Sequence, residues 1–358
     1  MEWLIGLIPL PYVAACLLLT ILLSYPGLAL VFYLDGRLTD LVSFPSNPVE
    51  QLTFVVGMIV NALIFFYLFF TVRFMRLKVV ETSEQLRPLS RDQGETFERI
   101  FAPLSSFWPP LIIGIVAVAF LHLLLSFSQG GDAFPSLLAF LFLRAPPPDI
   151  GPFRTAQLLV NNGLFVAAIG TFVWVYFRTL WGLHLLGREP LSLKTYREDS
   201  MLGLRPIGSL SLVFTGIYFV WLVLLALSSL PNPTLFDVVY PIPLIALGVV
   251  MFFLPLTNVH RAMTTQRRTE QSFLREWFNK ILGETNPPGS ERREGSLVEV
   301  SKLLSELRGV MVLDMLRGDV AETPTWPFDT VIIRRFVVLV SSITTSLIAH
   351  MVQVSLGL

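Results

Sequence analysis

Hydroxyl-bearing side chains are concentrated in the last apolar stretch of this chain. Ser342, Thr345, Ala349 and Gln353 follow one another at intervals of three or four residues, which places them on one face of a helix. Such a face can line a water-filled path in which hydroxyls replace part of the hydration shell of an ion. It can equally be a small-residue surface along which two helices approach closely. Both interpretations are open from the sequence.

A second set of polar residues is scattered through the other apolar stretches: Asn61, His122, Asn161, Asn162 and His350. Polar side chains inside a membrane need partners, so each is a candidate functional group. If the stretches alternate across a bilayer, all five lie in its outer half. They then predict a polar pocket open to the outside, suited to a small ligand or a partly hydrated cation. The alternative is helix–helix hydrogen bonds, each worth about 0.6–2 kcal/mol.

Residues for enzymatic chemistry are not gathered into a motif. The four histidines divide between the two sides of the predicted membrane, so they cannot form one three-histidine metal site. No Asp or Glu lies in the apolar core of any stretch, which argues against a proton relay. The sequence contains neither a glycine-rich phosphate loop nor a nucleophile elbow. We therefore expect no enzymatic activity, no metal and no cofactor.

A membrane-embedded bundle must position these residues. The chain is 53% apolar and 15% charged, and its mean hydropathy is +0.66. This composition is typical of a multi-pass membrane protein. Its 26 basic and 26 acidic residues balance, which does not favour nucleic acid as a partner, and its one cysteine excludes a disulfide framework. Seven stretches reach the length of about twenty residues that a spanning helix needs: Leu10–Leu34, Leu52–Val72, Trp108–Phe127, Ala156–Phe177, Ile207–Leu230, Val238–Leu256 and Phe336–Leu356.

The lysines and arginines between these stretches predict the orientation. All but three of the 26, namely Arg37, Arg144 and Arg154, lie in alternate connections. Because positive residues are retained on the cytoplasmic side, we expect the amino terminus inside and the carboxy terminus outside. The localisation that follows is the plasma (cytoplasmic) membrane. Arg334 and Arg335 then mark the inner end of the seventh span, where we expect them to reach lipid phosphates.

The predicted fold is all-α, with three parts. Residues 1–257 form a six-helix transmembrane bundle that carries an interfacial amphipathic helix at 94–107, and Pro26-Gly27 should kink its first span. Residues 258–327 form a cytoplasmic helical hairpin, and residues 328–358 form the seventh span. The apolar run 134–143 is too short to span, so it predicts an interfacial or re-entrant segment.

Both arms of the hairpin carry apolar stripes. The first arm, His260–Leu282, continues span six inward and places Phe273 and Trp277 on one face. The second arm, Ser296–Leu316, has the a/d spacing of a coiled coil. We expect the two arms to pack antiparallel on these stripes, with outer faces available to a neighbouring subunit or a soluble protein.

Two segments carry a resemblance: Leu-Gly-Leu-Arg-Pro-Ile-Gly-Ser-Leu at 202–210 and Pro-Thr-Trp-Pro-Phe-Asp-Thr at 324–330. With the exit at Pro255–Arg261, they make the second half of the chain resemble an uncharacterised group of prokaryotic multi-pass membrane proteins. That resemblance implies the architecture alone. The predicted topology, without a matching motif, is similar to that of insect chemoreceptor channels, which pack a cytoplasmic anchor and line the pore with the last helix.

Three functions remain open from the sequence. The first is an oligomeric channel-like or receptor-like protein, a homo-oligomer in the lipid bilayer whose last helix lines or gates a path. The second is a non-conducting scaffold or sensor whose hairpin docks a cytoplasmic protein. The third is a transporter for a small solute that uses the pocket at Asn61, Asn161 and Asn162.

Overall fold

The computed structural model describes residues 9–36, 48–89, 94–128, 152–189, 201–228, 241–285 and 330–356, together with isolated positions between these ranges. Nine α-helices lie in the described ranges: α1 (Tyr12–Leu23), α2 (Tyr25–Leu34), α3 (Pro48–Leu86), α4 (Glu95–Phe101), α5 (Trp108–Ser128), α6 (Pro152–Leu186), α7 (Arg205–Ser228), α8 (Pro241–Thr285) and α9 (Thr330–Leu356). The all-helical prediction is therefore confirmed for the part of the chain that the structure describes.

Within that part, four helical segments are long and apolar enough to cross a membrane: Val55–Leu86, Phe153–Leu186, Arg205–Ser228 and Pro241–Asn279. A fifth span is added if Glu95–Ser105 and Trp108–Phe120, which meet at an angle of 53°, count as one bent element. The chain is therefore a multi-pass membrane protein. Seven separate spans stay a prediction, and the run 134–143 lies outside the described residues.

The first predicted span differs from the expected single kinked helix. It is broken at Ser24 into α1 and α2, because Ser24 has an extended backbone with ψ of −166°. Pro26 falls in the first turn of α2, where its missing N–H leaves no helical bond unmade. A Cβ on Gly27 would lie 1.7 Å from the carbonyl oxygen of Leu22, so glycine permits this close turn. The proline thus starts a second helix two residues after the break.

Two glycines allow the backbones of α5 and α6 to approach each other closely. A Cβ added to Gly114 would lie 2.1 Å from the carbonyl oxygen of Val166, and one added to Gly170 would lie 1.9 Å from that of Pro110. Small residues at a crossing allow dispersion contacts between the backbones themselves, which is how membrane helices associate without a hydrophobic driving force.

Aromatic side chains fill the core between α3, α6, α7 and α8. Tyr176 of α6 stacks between Phe172 of its own helix and Phe214 and Tyr218 of α7, with ring centroids 5.4–6.4 Å apart. Hydroxyls also join the helices: that of Tyr67 donates to the carbonyl of Ile217 at 2.6 Å. Tyr218 donates in the same way to Leu244 at 2.9 Å. Each bond satisfies a polar group that lipid could not.

The predicted inner end of the bundle is built from short elements packed on α6. In α4, Ile100 and Phe101 are buried whereas Glu98 is exposed, as the amphipathic pattern predicts. The apolar face meets protein: the Phe101 ring occupies the space that a Cβ on Gly182 would need, at 2.6 Å. Arg178 of α6 donates to the carbonyl of Ile100 at 2.9 Å. The helix therefore packs against the bundle, and its exposed face is polar.

The turn into α7 is fixed by its own hydrogen bonds. The Asp199 carboxylate accepts from the backbone N–H of Met201 at 2.9 Å and of Gly203 at 3.1 Å. Leu202 adopts a positive φ of 55° with its side chain 1% exposed. A buried side chain on a strained backbone persists only where the surrounding structure holds it, and the two hydrogen bonds to Asp199 supply that support here.

The longest helix, α8, runs 45 residues and carries Pro255 in its interior. Span six and the first hairpin arm are therefore one continuous helix, as the sequence predicts. The Ser211 hydroxyl donates to the carbonyl of Phe252 at 3.0 Å, next to the place where the proline interrupts the ladder. In the carboxy-terminal half of α8, the side chains of Phe273 and Trp277 are exposed.

Most of the second hairpin arm lies outside the described residues. At its described positions, Met311 and Met315 are exposed. The mutual burial of the two arms therefore stays a prediction.

Candidate functional site

The last helix lies at the edge of the described bundle. One face of α9 is buried through Ile332, Phe336 and Ile343, and the helix packs chiefly against α7. The Phe336 ring also stacks on Phe252 of α8 with centroids 4.1 Å apart. The opposite face is free of other described helices, so α9 is held from one side only.

The predicted hydroxyl stripe begins on this free face. Ser342 and Thr345 are exposed. The Ser342 hydroxyl donates to the carbonyl of Val338 at 2.7 Å, so its proton is used within the helix while its oxygen lone pairs point outward for other groups. Ala349 and Gln353 continue the same helix, and their side chains are outside the described ones. Whether the stripe lines a path or a packing surface is therefore still a prediction.

The predicted outer pocket is placed in part. Asn61 is exposed on α3, whereas Asn161 and Asn162 are half-buried on α6. His122 and His350 belong to α5 and α9, and their side chains lie outside the described ones. The structure packs α3 and α5 against α6, which brings three of the four carrying helices together. It packs α9 on α7 instead, so one pocket shared by all five residues stays a prediction.

The amino-terminal end of α6, which is its predicted outer end, carries a row of polar atoms of which the sequence analysis singled out only Asn161. The Arg154 Nε, Gln157 Oε1 and Asn161 Oδ1 atoms are each buried without a hydrogen-bond partner among the described residues. Their spacing of three and four residues puts them on one helix face. Buried polar atoms without partners are costly, at about 1–3 kcal/mol each. The described residues therefore leave these three atoms of α6 unsatisfied.

Asp35 closes the amino-terminal end of α6 beside this row. Its carboxylate accepts from the backbone N–H groups of Phe153 at 3.3 Å and Arg154 at 3.1 Å. A carboxylate there satisfies two unpaired donors and complements the positive end of the helix dipole. The Arg154 guanidinium lies over the Phe32 ring, 4.7 Å from its centroid. The α2–α6 contact is therefore polar at its end and aromatic along its side.

A buried polar contact between α6 and α8 was missed by the sequence reasoning. The Asn258 amide donates to the carbonyl of His184 at 2.8 Å and lies 3.2 Å from its Nε2 atom. The Nδ1 atom of His184 is 2.9 Å from the carbonyl of Leu254, and Arg188 lies 3.3 Å from Nε2. Gly187 allows the approach, since a Cβ there would meet that of Asn258 at 3.0 Å. The available signal was a polar residue three positions after a helical proline.

Trp326 links the re-entry of the chain to α8. Its ring stacks on the His260 imidazole with centroids 4.2 Å apart and meets the edge of Phe253 at 6.2 Å. Because Phe253 also contacts Phe336, the start of α9 and the point where α8 leaves the core share one aromatic cluster.

Comparison with protein-family models, curated proteins and solved structures found no match to this chain. Within the described ranges, no group of three or more His, Cys, Asp or Glu side chains could hold a metal ion. The candidate site is therefore defined by the geometry of α6, α8 and α9 alone.

Proposed function

We propose that this multi-pass membrane protein is a homo-oligomeric channel-like or receptor-like protein in which the last helix lines or gates a path. The observation that carries the proposal is the position of α9: it is held from one side, and the face that carries Ser342 and Thr345 is exposed. Hydroxyls on an exposed membrane face gain hydrogen-bond partners when a second subunit or water covers them. The aromatic cluster at Trp326 supplies the coupling to α8.

The proposal includes seven spans with the amino terminus inside. Contacts join predicted inner ends to one another: Arg73 lies over the Tyr12 ring at 4.3 Å, and the amide of Asn258 bonds to the carbonyl of His184. At the opposite end, Asp35 caps α6. These pairings support helices that alternate in direction, and the basic residues at one end support that end as the cytoplasmic one.

The first test is the oligomeric state of the full chain in lipid nanodiscs, measured by mass photometry. We expect more than one copy per disc, and a Ser342→Cys variant should form a disulfide-linked dimer under mild oxidation in membranes. Val116→Cys, exposed on α5, is the matched control and should form no disulfide-linked dimer. A monomer in nanodiscs, together with no cross-link at position 342, would refute the oligomer.

The second test asks whether α9 lines a path. Ser342→Leu and Thr345→Leu should reduce single-channel conductance in planar bilayers, because leucine removes the oxygen atoms that can replace ion hydration. Val337→Leu, on the same helix, is the control with an apolar exchange. If conductance is unchanged in both hydroxyl variants, α9 does not line the path.

A specific observation also favours the scaffold function. Phe273 is 61% exposed and Trp277 is 50% exposed on the inner half of α8, and their rings stack at 6.4 Å. Exposed aromatic pairs of this kind are typical anchors of protein interfaces. In that case Phe273→Glu with Trp277→Glu should abolish capture of a cytoplasmic protein and leave the oligomeric state unchanged. If the same variant instead loses conductance, Phe273 and Trp277 belong to the channel assembly.

A further inference from the structure

A groove runs between α7 and α9 on the perimeter of the helix bundle. It has a volume of about 610 Å³ and is walled by Val220 and Val223 on one side and by Val338 and Leu339 on the other. This volume is in the range of sites that hold a small molecule. Apart from Ser342 and two arginines, its lining is aliphatic, so its occupant must have an apolar body.

Charge is confined to one end of the groove. Arg334 and Arg335 line it, and both side chains are exposed. Within the described part of the chain, neither guanidinium has a carboxylate partner, and no acidic residue lines the groove. Two unpaired guanidinium groups next to each other offer bidentate hydrogen bonds to a phosphate. The occupant therefore has an anionic head as well as an apolar body.

The dimensions distinguish a lipid from a second protein helix. From Val331 to Ile343, its first and last lining residues on α9, the groove extends about 18 Å along the helix axis, at about 1.5 Å per residue. That is about three-fifths of the thickness of the hydrocarbon core, which is about 30 Å. A packed transmembrane helix of another copy would use the full thickness. A groove that is shorter than a full span, with its charge at one end and an aliphatic wall beyond it, matches a single phospholipid.

We propose that the α7–α9 groove is a binding site for one anionic phospholipid of the inner leaflet. Its phosphate lies at Arg334 and Arg335, and one acyl chain lies along Val220, Val223 and Val338. Anionic lipids are enriched on the cytoplasmic side, where each nearby basic residue contributes to their attraction. The inner-leaflet assignment rests on the orientation proposed above, and the groove shares Ser342 with the proposed path.

Native mass spectrometry of the full chain in detergent micelles tests the site, with phosphatidylglycerol and phosphatidylcholine of identical acyl chains as probes. We expect one phosphatidylglycerol to bind more tightly than phosphatidylcholine. The Arg334→Gln/Arg335→Gln variant should weaken that binding by about 25-fold, taking about fivefold for each arginine. The matched control is Arg261→Gln/Arg268→Gln, which removes two exposed arginines from α8 and should change it by less than about twofold.

The apolar part of the site has its own test. Val338→Trp fills the groove and should weaken binding of both lipids, whereas Val337→Trp should not. The two valines are equally exposed, at 55%, and only Val338 lines the groove. A monodisperse elution profile and an unchanged thermal midpoint without added lipid show that each variant is folded.

Four results would overturn the proposal. Equal binding of the two lipids, or an equal loss in the α8 control, would make the effect a general property of a basic surface. Displacement of phosphatidylglycerol by millimolar inorganic phosphate would make the arginines a site for free anions. If Val338→Trp loses its oligomers while lipid binding is unchanged, the groove is a contact surface for a second copy of the chain.

Discussion

At the residue scale, the contact between His184 and Asn258 shows how a membrane protein holds two helix ends together. Asn258 is 7% exposed and His184 is 9% exposed, so water does not satisfy their polar atoms. The amide bonds to the backbone of His184, which orients the side chain of one helix on the main chain of another. Pro255 lies one turn earlier in α8, where the local ladder is already interrupted. The contact therefore fixes α8 at its weakest point.

We expect Asn258→Leu to destabilise the protein by about 1–3 kcal/mol, because the carbonyl and ring nitrogen of His184 lose a partner in a buried setting. The measurement is the free energy of unfolding in mixed detergent micelles. Thr257→Val changes an exposed hydroxyl at the next position and should stay within about 0.5 kcal/mol of the parent. Equal losses in the two variants would contradict a specific role for Asn258.

Sequence reasoning finds such residues unevenly. Asn161 stood out because an amide in an apolar stretch needs a partner, and the structure leaves its Oδ1 atom buried and unpartnered. Asn258 lies just past the apolar stretch, in a segment whose neighbours include Arg261, so hydropathy gave no reason to expect burial. Its partner is 74 positions away in the chain, and no local spacing encodes that distance. Pairing of this kind follows from helix packing.

At the element scale, the α5–α6 crossing depends on two glycines. Gly170→Ala would place a methyl group within 2.7 Å of the backbone of Gly114 and still closer to the carbonyl of Pro110. Backbone atoms cannot move aside as a side chain can, so the helices must separate and lose dispersion contacts along their length. The crossing is therefore intolerant of the smallest side chain.

Gly170→Ala should cost about 1–3 kcal/mol, the usual range for overpacking. Gly163→Ala is a matched control in the same helix, since a Cβ there meets no atom within 4 Å and alanine is the better helix former. It should leave stability unchanged or raise it by up to about 1 kcal/mol. Thermal unfolding of both variants in the same detergent compares them directly. A loss at position 163 equal to that at 170 would argue against the crossing.

The elements themselves were predictable to different degrees. The apolar stretches of α3, α6, α7 and α8 are long and uncharged, so composition alone identifies them as spans. The helices continue beyond these stretches, as α3 does from Val72 to Leu86. Such extensions carry charged residues, so the hydropathy criterion does not include them in the predicted spans. The sequence predicts a kink at Pro26-Gly27, two residues after the break that the structure has at Ser24. A proline shows only which helical turn is disturbed, whereas the packing of Gly27 on Leu22 determines which hydrogen bond is lost.

At the scale of the whole molecule, the placement of basic residues is a simple argument for orientation. Arg73 of α3, Arg178 of α6 and Arg188, which closely follows α6, lie at the same end of the bundle, near the Tyr12, Ile100 and His184 contacts. The charge count in the sequence predicts this grouping, since it depends only on which connections hold the arginines. The packing order of the helices, with α9 on α7, could not be predicted, because apolar faces of similar composition do not specify their neighbours.

The orientation leads to a labelling experiment on two exposed serines of the full chain. Ser228 ends α7 on the predicted outer side, and Ser272 lies on the inner half of α8. A membrane-impermeant maleimide added to intact cells should label Ser228→Cys, and should label Ser272→Cys only after the cells are opened. The parent chain is the blank, because its one cysteine, Cys16, is fully buried.

If position 272 is labelled before position 228, the orientation of the protein is the reverse of the predicted one, and Arg334 and Arg335 lie in the outer leaflet. Anionic lipid is scarcer in that leaflet, so the same experiment decides which membrane surface supplies the ligand of the α7–α9 groove.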